Sequence, residues 1–294
     1  MEVGIMSWVT IDRDGCNDCG LCAVRCIRCF SVQDDHMTVN ATEENCNLCG
    51  HCVALCPTEA IVHHKMDEGN FLPVDHKLTF DTDDFIHFVR KRRSHRHFKE
   101  REVQRRDLEK LADVCRYAPT GSNRQAIELK IIRDPEKIER LSHLTMDYFI
   151  DLIDRVEAQV GQFEADGKEV PSSVRDLHTN LSRYKGMKLA REIGLDVIFY
   201  AAPVVIVFHS SDAATTPKDD CVIAAQTVNM TAMTMGLECC YIGLFTNSSG
   251  AHPPIQGELK LPRGHKVYST LIMGYPKITF FKSIDRKPIK VTWE

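Results

Sequence analysis

The chain has 294 residues, enough for one large domain or two modest ones, and its 43% hydrophobic and 27% charged residues are ordinary globular usage, which excludes a disordered chain or a fibre. Its 37 Lys and Arg stand against 41 Asp and Glu, a formal charge of -4 that argues against a general nucleic-acid binder. The longest apolar run, Val197 to Phe208, has 12 residues and contains Pro203, short of the roughly 20 that a membrane-crossing helix needs.

At the N-terminus, MEVGIMSWV carries Glu2 and no Lys or Arg before Arg13, without the basic region of a secretory signal, so a cytoplasmic chain is expected. Next comes the most informative stretch. Of 13 cysteines, nine lie between Cys16 and Cys56. Clustering of that kind in a reducing compartment points to metal rather than to a disulfide framework. Cys16, Cys19, Cys22 and Cys26 form one CxxCxxCxxxC run, and Cys46, Cys49, Cys52 and Cys56 form another, followed by Pro57. The offset is 30 residues and extends to Asn17, Gly20, Asn47 and Gly50, so the segment is an internal duplication. Three thiolates at two-residue intervals wrap one corner of an iron–sulfide cube, and Gly20 and Gly50 let the backbone curl around it. Zinc is the alternative metal, but four-coordinate zinc has no use for a third cysteine at the same interval.

Over about residues 1 to 63 this resembles a bacterial two-cluster 4Fe-4S ferredoxin. The resemblance implies crossed ligation: Cys16, Cys19, Cys22 and Cys56 on one cluster, and Cys46, Cys49, Cys52 and Cys26 on the other. Ile27 stands where the family usually has proline, which leaves the local backbone shape open, and Cys29 reads as a buried extra thiol.

After Ile61 and Val62 the chain turns polar, and residues 64–80 read as a linker. From residue 81 helical patterns alternate with short apolar strands. Leu108, Leu111, Ala112, Cys115 and Ala118 recur at helical spacing, with Pro119 as the stop. Ile127 to Ile132, Val204 to Phe208 and Val267 to Met273 read as strands, and Cys221 to Met235 as a helix buried on every side. Residues 147–185, rich in charge, read as a solvated helix; Tyr148, Tyr184 and Lys185 would be the substrate contacts if it were a lid. Neither GxGxxG nor a P-loop is present, so a cofactor here is held in another way.

Arg92, Ser94 and Arg96 alternate, so in an extended segment they share one face, and two guanidiniums with a hydroxyl suit a phosphate dianion. Taken with Ala118 to Gln125, Gly236 to Gly243 and Asp285 to Pro288, this run resembles the FMN-dependent nitroreductase family over about residues 81 to 294. The resemblance implies a homodimer with FMN at the subunit interface. Arg92, Ser94 and Arg96, with Arg93 in the same cofactor-binding run and Arg286 approaching from the C-terminal segment, would hold the ribityl phosphate. Pro119, Thr120, Gly121 and Asn123 would line the flavin from the partner subunit, and Tyr241, Ile242 and Gly243 would pass its ring near N5. Gly121 stands where the family commonly has serine, and Cys239 and Cys240 read as packed strand residues without chemistry.

The expected fold is therefore α+β: a ferredoxin-like two-cluster domain (1–63), a linker (64–80) and a nitroreductase-type α+β sandwich (81–294). The expected function is passage of electrons from a reduced ferredoxin or similar donor, through two 4Fe-4S clusters and FMN, to a small organic substrate. No side chain is assigned a catalytic role, since flavin N5 carries the chemistry. Two alternatives remain open: an electron-transfer or redox-sensing flavoprotein without a small substrate, and a reductive dehalogenase or ene-reductase on the same flavin.

Overall fold

The 30-residue repeat of the sequence is also a repeat of structure. The first half runs β1 (Val9–Ile11), α1 (Leu21–Arg25) and β2 (Phe30–Gln33); the second runs β3 (His36–Val39), α2 (His51–Ala54) and β4 (Ile61–His63). Each helix opens directly after a glycine in the left-handed region, Gly20 at φ 76° and Gly50 at φ 67°. Two residues earlier Asp18 and Leu48 also adopt left-handed φ, 52° and 56°. The last cysteine of each run closes the same turn, Cys29 N donating to Cys26 O and Glu59 N to Cys56 O. Ile27 therefore leaves that turn unchanged, its side chain exposed.

The computed structural model describes residues 7–77 and 79–294, so Met1 to Met6 of the expected first domain and Leu78 of the expected linker lie outside the described residues. One unit runs to Thr79 and includes Ser122–Arg124; the other holds Phe80–Gly121 and Gln125–Glu294. In the first, strands of opposite repeat halves pair antiparallel, β1 with β4 and β2 with β3. Its interior is small: Val9, Phe30, Met37, Ala41 and Ile61 pack with the thiols Cys22, Cys29 and Cys52.

The second unit takes its form from β6 (Val204–Ser211), whose apolar run is buried on both faces as the centre of a covered sheet must be. Before it come α3 (Thr82–Lys91), α4 (Arg105–Cys115), β5 (Ile127–Ile132), α5 (Pro135–Ala165), α6 (Ser172–Ser182) and α7 (Met187–Glu192). After it come α8 (Pro217–Thr234), β7 (Glu238–Tyr241), α9 (Gly243–Ser249), α10 (Pro253–Leu259) and β8 (His265–Gly274). The sheet order is β5-β6-β8-β7, antiparallel throughout. Alternate residues of β6 feed two cores. Val205 and Val207 pack with Leu141, Met146, Phe199 and Phe245 on one side, while Val204, Ile206 and Phe208 pack with Leu111 of α4 and Cys221, Ala225 and Val228 of α8 on the other. Each large side chain buried there contributes about 1.5–3 kcal/mol.

Two expectations are corrected. The helix expected to be buried on every side buries Ala224, Ala225, Val228 and Ala232 against the sheet, but Val222 and Ile223 are each 41% exposed, because the sheet covers only one of its sides. Residues 147–185 are not simply solvated: Phe149, Ile153 and Val156 of α5 and Leu181 of α6 are buried in the core. Among the described residues no helix is long and apolar enough to cross a membrane.

Candidate functional site

The duplicated turns bring the thiols into two groups. One cavity is lined by Cys16, Cys19 and Cys22 of the first run together with Cys56 of the second, with Ile11, Met37 and Ile61 among its apolar walls. Around Cys52, whose thiol burial pushes up to about 11, the thiols adding to that rise are Cys49, Cys46 and Cys26. Each group thus takes three cysteines from one run and the last from the other. Polar neighbours reach the sulfurs: Ala60 N donates to Cys56 Sγ at 3.3 Å, and Nε2 of the buried His63 lies 3.5 Å from Cys46 Sγ. Cys29 is buried with its Sγ 3.5 Å from the main-chain oxygen of Asn45, and burial pushes it up to about 12.

In the second unit the segment after α3 runs along the free edge of β7, where His95 N donates to Cys239 O. Its side chains alternate as an extended backbone requires. Arg92, Ser94 and Arg96 face Cys240: burial raises that thiol, and Arg96, a Ser94 hydrogen bond and Arg92 oppose the rise. Arg96 also lies 5.5 Å over the Tyr200 ring. Arg93 does not join them. Its guanidinium sits 5.5 Å over Phe280, whose ring His95 meets edge-on at 5.0 Å, on the other face. Among the described residues Arg92 and Arg96 form no ion pair, although Arg92, with Lys91, opposes the rise that burial imposes on the Glu238 carboxyl.

At the end of β7, burial pushes the Tyr241 phenol up to about 12 and Arg92 opposes it. Ile242 N donates to Thr270 O, and Gly243 opens α9, so its N–H has no intrahelical partner. Nothing lies within 4 Å of a Cβ built on Gly243.

The loop after α4 is set by α8. Asp220, buried at the start of that helix, accepts from Gly121 N at 3.0 Å and from Thr216 Oγ1 at 2.7 Å. A Cβ on Gly121 would collide with Thr216 Oγ1, which explains glycine at this position. Thr120 Oγ1 accepts from Gln125 N and Pro119 is exposed. Asn123, at φ 53°, groups with the first unit rather than with Pro119, Thr120 and Gly121. Arg286 lies on an exposed C-terminal segment, and among the described residues no hydrogen bond or ion pair engages its guanidinium. The sequence reading missed Asp220 because one carboxylate among 41 acidic residues carries no local signal. It also missed His95 and Glu238, whose Nε2 and Oε2 lie 3.6 Å apart; burial lowers the histidine and raises the carboxyl, disfavouring the charged form of each.

Grouped thiols in a ferredoxin-like unit, in one chain with an α+β sandwich that carries an anion-seeking face, define a redox protein. The sequence matches the nitroreductase family over residues 89–275 and a 4Fe-4S binding domain over residues 41–62. It is 43% identical over 56 residues to a ferredoxin of Methanothermococcus thermolithotrophicus, a match covering 18% of this chain and 92% of that protein. In fold it is similar to a nitroreductase with bound FMN from Bacteroides fragilis (TM-score 0.51, 18% identity, 72% of this chain and 100% of that one). A nitroreductase with bound FMN from Desulfitobacterium hafniense gives TM-score 0.51 at 20% identity, over 70% of this chain and 97% of that one. The chain belongs to the nitroreductase family, and is an oxidoreductase of that family carrying a 4Fe-4S binding domain.

Proposed function

We propose that this chain takes electrons from a reduced ferredoxin or similar low-potential carrier into two 4Fe-4S clusters and on to FMN, at which a small organic acceptor such as a nitro compound or quinone is reduced. The clusters supply one-electron transfers, and FMN supplies two-electron exchange at ring atom N5. The observation that carries this reading is the pair of complete thiol groups in one chain with a nitroreductase sandwich. Cys16, Cys19, Cys22 and Cys56 would hold one cluster, and Cys46, Cys49, Cys52 and Cys26 the other.

The residues present fit FMN. Arg92, Ser94 and Arg96 offer a phosphate a hydroxyl and two guanidiniums that form no ion pair among the described residues, and Gly243, with open space where a Cβ would stand, offers an N–H without an intrahelical partner. That the Bacteroides and Desulfitobacterium nitroreductases carry FMN supports the same cofactor here. A homodimer is part of the proposal. The loop of Pro119, Thr120 and Gly121 leads into β5 at one edge of the sheet, whereas the arginine face borders β7 at the other, three strand spacings or about 14 Å away. A second copy would bring the loop of one chain against the arginine face of the other, and Val222, Ile223, Phe85 and Ile86 supply exposed apolar surface for it.

The test is anaerobic turnover by the full chain, with reduced ferredoxin and with NADH as donors, following flavin reoxidation by nitroaromatics, quinones, organohalides and activated alkenes. Turnover of nitroaromatics and quinones is expected. Reoxidation by none of them would favour a redox-sensing protein, and turnover confined to organohalides or alkenes would move the reading to those reactions.

A further inference from the structure

Three side chains converge at one end of the four-stranded sheet. Glu128 on β5 is paired directly with His209 on β6, and His265 opens β8 opposite Ser211. A register shift between Phe208 and His209 accompanies this convergence. The two imidazoles meet with Nδ1 facing Nδ1 at 3.0 Å, and Glu128 Oε1 lies 3.9 Å from His265 Nε2. One ligand atom from each residue falls within 4.8 Å of the others.

The geometry is one that a metal ion can use. Without an ion, two neutral imidazoles facing through Nδ1 share a single proton and the Glu128 carboxylate stands at the other nitrogen of His265; with an ion, one nitrogen from each ring and one oxygen of Glu128, which lie within 4.8 Å of one another, become its ligands. An ion bonded to nitrogen at about 2.0–2.1 Å, with a nitrogen–metal–nitrogen angle between square and tetrahedral, holds its two nitrogens about 2.9–3.4 Å apart. The rings already stand at that separation. His209 is 3% exposed and fixed in a central strand, so little conformational freedom remains to be lost on binding. Two nitrogens and one carboxylate match the ligand preference of zinc-like ions and not that of magnesium or calcium, which take oxygen. The opposing influence is Lys130, two residues along β5 from Glu128, whose charge acts on His209; the Glu128 carboxylate offsets it.

We propose that Glu128, His209 and His265 form a binding site for a divalent ion of the zinc class, with the remaining coordination taken by water. The site would join three consecutive strands of the sheet, β5, β6 and β8.

The experiment uses the full chain, purified anaerobically with its iron in place. One equivalent of Zn²⁺ is added, excess is removed by gel filtration, and zinc content is read together with the zinc-edge X-ray absorption spectrum, in which iron does not interfere. The expected result is about one retained zinc per chain, surrounded by nitrogen and oxygen at about 2.0 Å without a sulfur shell. His265→Gln and Glu128→Gln should each keep wild-type circular dichroism and iron content while weakening zinc roughly 10-fold or more. Failure of the wild type to retain zinc would overturn the proposal. So would a sulfur shell near 2.3 Å, or zinc held equally well by both variants, either of which would put the ion elsewhere.

Discussion

The two units are held together by different means. The thiol-bearing unit has strands of three or four residues, helices of four or five, and an interior in which cysteines stand beside a handful of apolar side chains. Two-stranded sheets and single-turn helices are marginal in water, and a unit of this size needs staples. The second unit has a sheet covered on both faces, with Phe199, Phe208 and Phe245 fully buried. The contrast teaches where cofactor and fold are tied together: in the first unit the proposed ligands Cys22 and Cys52 are part of the core, and in the second the proposed flavin contacts lie at the surface of a core complete without them.

The largest effect that would break this comparison is loss of the clusters. The intact chain should carry about eight irons and eight acid-labile sulfides. Chelation, or Cys22→Ser with Cys52→Ser, should unfold the first unit and leave the second folded. Limited proteolysis with mass mapping would show cleavage confined to residues before about 80, whereas an equally resistant apo-chain would show that the apolar residues suffice. Stoichiometric zinc in place of iron would overturn the cluster assignment.

Next in size are the arginines. Arg92→Ala and Arg96→Ala each remove a charge-assisted phosphate contact of roughly 1.5–3 kcal/mol, or one to two decades in FMN affinity, and should leave iron content and melting of the second unit unchanged. Equilibrium dialysis of FMN reads this, and unchanged affinity in both variants would make the arginine run an ordinary surface.

A smaller effect sharpens the account of the loop. Gly121→Ser forces its side chain onto Thr216 and should destabilise the second unit by about 1–3 kcal/mol in chemical denaturation. Thr216→Ala should relieve most of that cost in the double variant, and additive losses would show that the collision is not the cause.

The smallest is a pH effect. Burial, ahead of Arg93, holds His95 below its ordinary value. The unfolded chain then binds the proton first, so this residue's contribution is present above about pH 6.5 and is lost as pH falls from there through the lowered folded value. His95→Gln should flatten that part of the stability profile of the second unit, and an unchanged profile would remove His95 as its source.

The same contrast explains what could be read from sequence. Cysteine ligation is local: Cys16 to Cys26 and Cys46 to Cys56 display their spacing in the chain, and Gly20 and Gly50 adopt the left-handed turns their positions suggest. Asp18 and Leu48 share that conformation, but neither residue type announces it. The strand Ile127–Ile132 and the Val204 to Phe208 part of β6 were legible from apolar runs, though not the polar extension to Ser211, and the alternation of Arg92, Ser94 and Arg96 from period two. The burial of α8 was not, since a helix with small and apolar residues all round reads alike whether one or both sides are covered. Asp220 beneath Gly121, and Glu128 with His209 and His265, depend on contacts between distant positions that no local pattern encodes.

The central claim is that electrons enter through the thiol-bound clusters. Stopped-flow reduction of FMN by reduced ferredoxin tests it most directly, comparing the full chain with a form beginning at Phe80 that retains FMN and accepts electrons from dithionite. The expected result is fast ferredoxin-driven reduction in the full chain, its near loss in the shortened one, and slow reduction of either by NADH. Equal rates with ferredoxin in the two forms, or NADH matching ferredoxin in the full chain, would contradict the account.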